Sequence, residues 1–499
     1  MDKWVDAQYD KKAVWRYLLI AVTTIALWKF TQGFGAILVT LLVFGAIIRD
    51  KPIEMMFWVL FMTLSAGGNR ELFATNIVSV MTVRVTLVVL TFFLATRLFA
   101  GGRESRLVTP FWGILAYIVW ECFVSIFGFS PIVSYLKLFL FFSVFLSMFG
   151  VANTVNRSTR TNAKILRSSI LALIALIILG SVAIIPFPSL SLMTSKASLE
   201  AMVAGEVTSL FKGMTTHSQV MGPMAGIMGT FLFADLAFSV KKWDKFYLLM
   251  LLACPVLIYK SSSRTGMGTL IGGIGMVCFL IMRAKGIGHS WKGKLTMTIN
   301  TLIVVGAIAS LLVPSVRAKA AKFALKWNND YSTELVTMEN VISTRQAKID
   351  IALYNFKQKP FTGNGFQVSE EMQFEKRTKL TDYLTAAIEK GVWIYAILEE
   401  GGIVGMLLFS GWLVLLFYLL IKRHAYIGAS VFFAFITTNL GEFSLFSMTY
   451  VGGFYWTFTF AAVCLDVQRM KAAHMQVFEV PTWQVFEEVG YDEWMREQG

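Results

Sequence analysis

Charged and hydroxyl-bearing residues set among long apolar runs are the first chemistry this sequence offers. Arg264 stands in Ser261-Ser262-Ser263-Arg264-Thr265-Gly266, between two such runs. His217 stands in Met214-Thr215-Thr216-His217-Ser218 at the mouth of another, and Glu442 follows Gly441 near the last run. Arg84, Glu121 and Lys137 fall inside apolar runs, where a charge is costly and faces a polar cavity or a partner. Guanidinium groups present a planar fork of donors that fits a phosphate or diphosphate. The Ser261–Arg264 turn is expected to leave backbone N–H groups open at the next helix start, which also favours an anion. Together these residues predict a cationic cavity for a polyoxygenated anion, with Arg84 and Lys137 on its substrate-binding side. Plainer readings stay open: Arg84 and Lys137 paired with Glu121 as structural glue, and Arg264 as an arginine whose charge reaches the membrane interface.

The elements that must hold these residues are membrane helices. Hydrophobic residues make up 56% of the chain and charged residues only 15%, which excludes an ordinary soluble domain. Apolar runs of about 17–25 residues, rich in Phe and without strand-like alternation, predict an all-α polytopic bundle rather than a barrel. Spans are expected near residues 15–31, 34–48, 53–67, 76–98, 108–128, 131–152, 165–187, 218–239, 245–260, 265–283, 296–314, 402–421, 426–440 and 448–466. That is roughly 12–14 helices. The first span is followed at once by others, so no cleavable leader is expected.

Every second connection is basic, from Lys11, Lys12 and Arg16 through Arg157, Lys164 and Arg167 to Lys422, Arg423, Arg469 and Lys471. This alternation predicts an orientation with both termini in the cytoplasm. The chain then divides into transmembrane helices over 1–313, a large extracytoplasmic loop over 314–401, transmembrane helices over 402–466 and a cytoplasmic tail over 467–499. The net charge of +14 is read as orientation and lipid contact, not nucleic-acid binding. Cys122, Cys254, Cys278 and Cys464 lie in apolar runs without metal-ligand spacing, so neither a disulfide nor a metal centre is expected.

Within the loop, Ile349, Ala352, Leu353 and Phe356 recur at helical spacing, with Lys348, Lys357 and Lys359 on other faces. This predicts an amphipathic helix on the membrane surface with Arg345 at its start, ended by Pro360. A tight turn, Thr362-Gly363-Asn364-Gly365-Phe366, follows. Gly363 and Gly365 are candidates for close approach to substrate, beside the plainer reading of a loop. His217 has the intrinsic pKa of a general base, and an interfacial hydrogen-bonding role is as open for it.

The order of these features resembles the O-antigen ligase and O-antigen polymerase family of integral-membrane glycosyltransferases. The similar stretches are KGMTTHSQVMG, SSSRTGM, STRQAKIDIALYNFKQKPFTGNGF and LEEGGIVGMLLF, spanning roughly residues 205–420. The resemblance implies a metal-independent, cofactor-free transfer from an undecaprenyl-diphosphate-linked glycan to a glycan or lipid acceptor. Membrane lipids and other polysaccharide-assembly proteins are the implied partners. It further implies that Arg264 and Arg345 grip the diphosphate and stabilise the leaving group, with Lys390 as a further phosphate contact. The family's His-Asn pair before Gly-x-x-Gly is missing here: Gly391-Val392 stand at those positions, just after Glu389 and Lys390. Glu389 and His217 are therefore the candidates for activating the acceptor, with Glu399 and Glu400 in range. Two other readings remain: a flippase for lipid-linked oligosaccharides, and a non-catalytic scaffold of an envelope assembly.

Overall fold

A computed structural model describes residues 9–31, 34–73, 81–83, 85, 86, 89, 90, 108–157, 162–194, 209–238, 245–283, 298, 338–368, 392–442, 444–448 and 451–478. These form an all-α bundle. In chain order its helices are α1 (Lys11–Thr31), α2 (Phe34–Ile48), α3 (Pro52–Ala66), α4 (Val108–Ser125) and α5 (Pro131–Arg157). Then come α6 (Ala163–Ala183), α7 (Ser218–Phe238), α8 (Lys245–Lys260) and α9 (Arg264–Arg283). The last are α10 (Met338–Gln358), α11 (Trp393–Lys422), α12 (Tyr426–Thr438) and α13 (Val451–Phe478). One antiparallel pair of three-residue strands, β1 (Leu192–Thr194) and β2 (Ser209–Phe211), leads into α7. Six helices (α1, α5, α6, α7, α9 and α11) are long and apolar enough to cross a membrane, and α2, α3, α4 and α12 are shorter apolar helices. The chain is a multi-pass membrane protein.

Two boundaries differ most from the expected ones. Helix α11 begins at Trp393, upstream of the expected span start at 402, and residue 402 is instead a break inside it. Helix α13 continues to Phe478, through Arg469 and Lys471, which hydropathy had assigned to a connection and tail. The expected spans near 76–98 and 296–314 lie largely outside the described residues.

The core is aromatic where α5, α11 and α13 meet. Phe145 of α5 and Trp412 of α11 lie 5.3 Å and 5.5 Å, centroid to centroid, from Trp456 of α13. Small residues let α7 and α9 approach closely: Gly222 packs on Ser261 and Ser263, and Gly266 on the Gly222 backbone. Beside them the buried Thr269 and Thr438 hydroxyls meet at 2.9 Å, joining α9 to α12.

The bundle has two chemically distinct ends. At one end the Asp10 amide bonds to Ser168 Oγ, and Tyr9 packs on Tyr247. Buried Arg167 of α6 places Nη2 3.0 Å from Asp235 Oδ1 and Nε 3.0 Å from Oδ2, and the Tyr247 hydroxyl donates to Asp235 at 2.7 Å. Asp466 pairs with Arg469 at 2.9 Å and accepts the Gly428 amide, while Arg469 donates to the Phe238 carbonyl. Arg167 and Arg469, read from sequence as loop charges, are thus buried partners that tie α6, α7, α8, α12 and α13 together.

Removing one partner of a buried ion pair leaves the other charge without compensation. Arg167→Met should lower stability by on the order of 3 kcal/mol, and adding Asp235→Leu should recover most of it. Thermal unfolding of the detergent-solubilised protein checks this; equal melting of the single and double variants would show that the pair is not coupled.

Candidate functional site

The opposite end of the bundle carries those singled-out residues that the structure describes there, His217, Arg264, Lys137, Gly363 and Gly365. The segment before α7 is pinned by Asn69, which is fully buried and whose Nδ2 donates to the Leu190 and Gly213 carbonyls at 2.7 and 2.9 Å. Asn69 N–H also bonds to the Met214 carbonyl, and Ser181 Oγ accepts the Met214 amide. This delivers His217 to the helix start. Its carbonyl accepts the Val220 and Met221 amides, and its Nδ1 accepts the Gln219 amide at 3.2 Å. His217 is therefore the N-cap of α7. With Nδ1 an acceptor, the neutral ring carries its proton on Nε2, so in this state the ring offers a donor rather than a base.

The cap makes a graded prediction. His217→Ala should cost about 1 kcal/mol of stability, and His217→Asn, whose side-chain oxygen can take the same amide, should restore it. Thermal unfolding reads the cap, and turnover of the His217→Asn protein reads what the Nε2–H donor adds. A histidine that does not cap would show no stability difference between the two variants.

Arg264 opens α9, where Ser263 Oγ accepts the Gly266 amide at 3.0 Å as the helix cap. The Ser261, Ser262 and Ser263 amides bond to the Leu257, Tyr259 and Ile258 carbonyls of α8. The three serine N–H groups of this turn are therefore taken up by α8 carbonyls and are not part of an open anion nest. The turn's backbone closes on itself, and Ser262 takes a positive φ of 50° to do so. Gly441 packs on Thr265, which places the turn of Glu442 beside the start of α9. The same region is tied to α11 by the Trp393 amide, which bonds to the Asn439 carbonyl at 3.2 Å.

The larger finding is where the loop goes. The turn after α10 does not lie outside the bundle: it inserts between α4, α5 and α11. Phe366 is fully buried, its ring 5.5 Å from Phe141 and 5.0 Å from Phe446. The Phe366 amide bonds to Ser125 Oγ, the Phe129 amide to the Asn364 carbonyl, and Lys137 Nζ to the Gln367 carbonyl at 2.9 Å. Lys137 lies roughly 9 Å below the start of α5, so the turn reaches about that deep.

Backbone can enter a membrane bundle only if its polar groups are satisfied there. The break in α11 supplies the partners. At Gly402 (φ 65°, ψ −164°) the helix is interrupted, and the Glu399 and Glu400 carbonyls accept the Asn364 and Gly365 amides, both at 2.9 Å. Across the break the Ile403 amide bonds to the Pro360 carbonyl, and Trp120 Nε1 bonds to the Gly401 carbonyl at 2.8 Å. Gly363 and Gly365 thus serve this docking: a Cβ on Gly363 would sit 2.6 Å from Gly402 N. Three acidic side chains, Glu121, Glu399 and Glu400, are buried around the break, with Glu121 Oε1 against Gly401 and Gly405.

Sequence reasoning missed Asn355, Asn364, Trp120 and Ser125 at this junction, because each acts through neighbours distant in the chain. The structure brings Lys137, Gly363, Gly365 and Glu121 to the junction, and His217 and Arg264 to the same end of the bundle. Arg345 is placed by its backbone on α10, with its side chain outside the described set; Arg84, Glu389 and Lys390 lie outside the described residues. Among the described residues no group of three or more His, Cys, Asp or Glu side chains is arranged to hold a metal ion. No protein-family model matches the chain, and no curated protein matches it significantly.

Proposed function

We propose that this protein is a glycosyltransferase that polymerises or ligates polyprenyl-diphosphate-linked glycans at the outer face of a bacterial inner membrane. The observation that carries the reading is the gathering of His217, Arg264, the Arg345-bearing helix α10 and its inserted turn at one end of the bundle. At the other end stand Lys11, Lys164, Lys245, Arg283 and Lys422, against Lys29 and Lys260 in the last turns of α1 and α8 at this one. Read with positive charge inside, the functional end faces out and the termini stay in the cytoplasm.

In this reading an acceptor hydroxyl attacks the anomeric carbon of the donor sugar. The bond from that carbon to the diphosphate oxygen breaks, and polyprenyl diphosphate leaves. Arg264 and Arg345 hold the diphosphate and take up the charge that develops on it. The His217 Nε2–H group adds a donor, and the acceptor's proton passes to a carboxylate, for which Glu389 is the candidate.

The test is reconstitution. Purified protein in liposomes receives a polyprenyl-diphosphate oligosaccharide, and glycan length is read on a gel. A ladder, or transfer to a supplied acceptor, supports the proposal. Movement of the intact lipid between leaflets without covalent product would replace it with the flippase reading.

A further inference from the structure

We infer that Asn355 and Glu399 form a clasp that sets the position of Arg345, so that Glu399 acts on the reaction as a positioning residue. This rests on the transferase reading for its activity readout, though not for its structural one. Among the described side chains of helix α10, Ile349 and Ala352 are buried, Leu353 and Phe356 half-buried, and Ile351, Tyr354 and Lys357 exposed. Its polar hold is specific. Asn355 is fully buried and donates from Nδ2 to Glu399 Oε1 at 2.9 Å. Asn364 is also buried, and its Nδ2 donates to the Asn355 carbonyl at 3.1 Å and to the Glu399 carbonyl at 3.4 Å. One side-chain amide ties α10 to α11, and the second ties the turn to both.

The orientation of the amides is fixed by chemistry. Turning Asn355 over would set its oxygen against the Glu399 carboxylate. As placed, Oδ1 of both asparagines is buried without a hydrogen-bond partner among the described residues, a cost that an apolar side chain would avoid. Keeping amides here at that cost says that their donors matter. Arg345 lies ten residues before Asn355 on the same helix, about 15 Å along its axis. A tilt of about 10° at the clasp would move that position by roughly 2.5 Å, more than the ~1 Å misplacement that already costs about a hundredfold in rate.

The experiment moves the charge across the clasp. Asn355→Asp sets two carboxylates against each other, Glu399→Gln keeps an acceptor for the Asn355 amide, and the double variant restores a carboxylate–amide pair with its polarity reversed. Asn355→Leu removes the bond without adding charge. Two readouts are taken on the full-length protein in liposomes: hydrogen exchange of the α10 amides by mass spectrometry, and the rate and donor KM of glycan transfer. Asn355→Asp should raise exchange in α10 and lower kcat/KM about a hundredfold, largely through donor KM. The double variant should return exchange to the wild-type rate and kcat/KM to within about threefold.

Unchanged α10 exchange in both Asn355 variants would overturn the proposal. So would collapse of turnover in Glu399→Gln with α10 still protected, since the carboxylate would then act on substrate directly. If exchange follows the expected pattern while even the wild-type protein forms no glycan, the clasp stands and the transferase reading falls.

Discussion

Gly402→Ala should give a protein that loses the inserted turn or fails to fold, a loss on the order of 5 kcal/mol. Two causes add. The φ of 65° with ψ of −164° belongs to a region that only glycine occupies at ease, and a side chain held there costs about 1–3 kcal/mol. A Cβ would also lie 2.8 Å from Thr362 N and closer still to the Phe361 carbonyl, both backbone atoms that cannot swing aside. Moving them separates the Asn364–Glu399, Gly365–Glu400 and Ile403–Pro360 backbone bonds, each contributing about 1 kcal/mol. The same helix holds its own controls. A Cβ on Gly411 meets nothing within 4 Å, so Gly411→Ala should be neutral. A Cβ on Gly405 would lie 3.1 Å from Glu121 Oε1, so Gly405→Ala should fall between. Thermal unfolding of the three variants in one detergent gives the series, and a Gly402→Ala protein as stable as Gly411→Ala would mean that α11 does not need its break.

That break also marks the limit of what the sequence discloses. Hydropathy reports the average environment of some twenty residues, so it located α5, α6, α7 and α9 well and gave the helical class without difficulty. His217 and Arg264 both stand at helix starts, the one before α7 and the other opening α9. The Glu399-Glu400-Gly401-Gly402 stretch, however, lowers the local average, and reads as a loop running into a span. Only the partners from residues 360–366, supplied from across the fold, let it remain helical up to its break. Arg167 was misread for a related reason. An arginine near a span end is counted as a loop charge until Asp235, on another helix, is seen facing it. Pair energies of this kind belong to the fold and leave no periodic trace in the chain.

Arg264→Ala should lower glycan transfer in the reconstituted reaction about a thousandfold, with the cap at the start of α9 still in place. The residue opens α9 after the Ser263 cap, at a half-buried position, and the cap itself is made by Ser263 Oγ and the Gly266 amide. Removing the guanidinium group therefore leaves the helix start in place. A donor that stabilises charge developing on a leaving group is worth about 10²–10³ in rate, and under the proposed function both arms of the Arg264 fork would meet the diphosphate, which sets the expected loss at the upper end. Arg264→Lys separates this from the plainer role of an arginine reaching for the membrane interface. A lysine snorkels as well as an arginine, but it presents a point charge in place of the planar fork. A diphosphate grip therefore predicts that Arg264→Lys remains at least tenfold below wild type, chiefly in kcat, because the contact strengthens as the bond to the leaving diphosphate breaks. Full activity in Arg264→Lys would return the residue to the interface and leave the diphosphate to other groups at this end of the bundle.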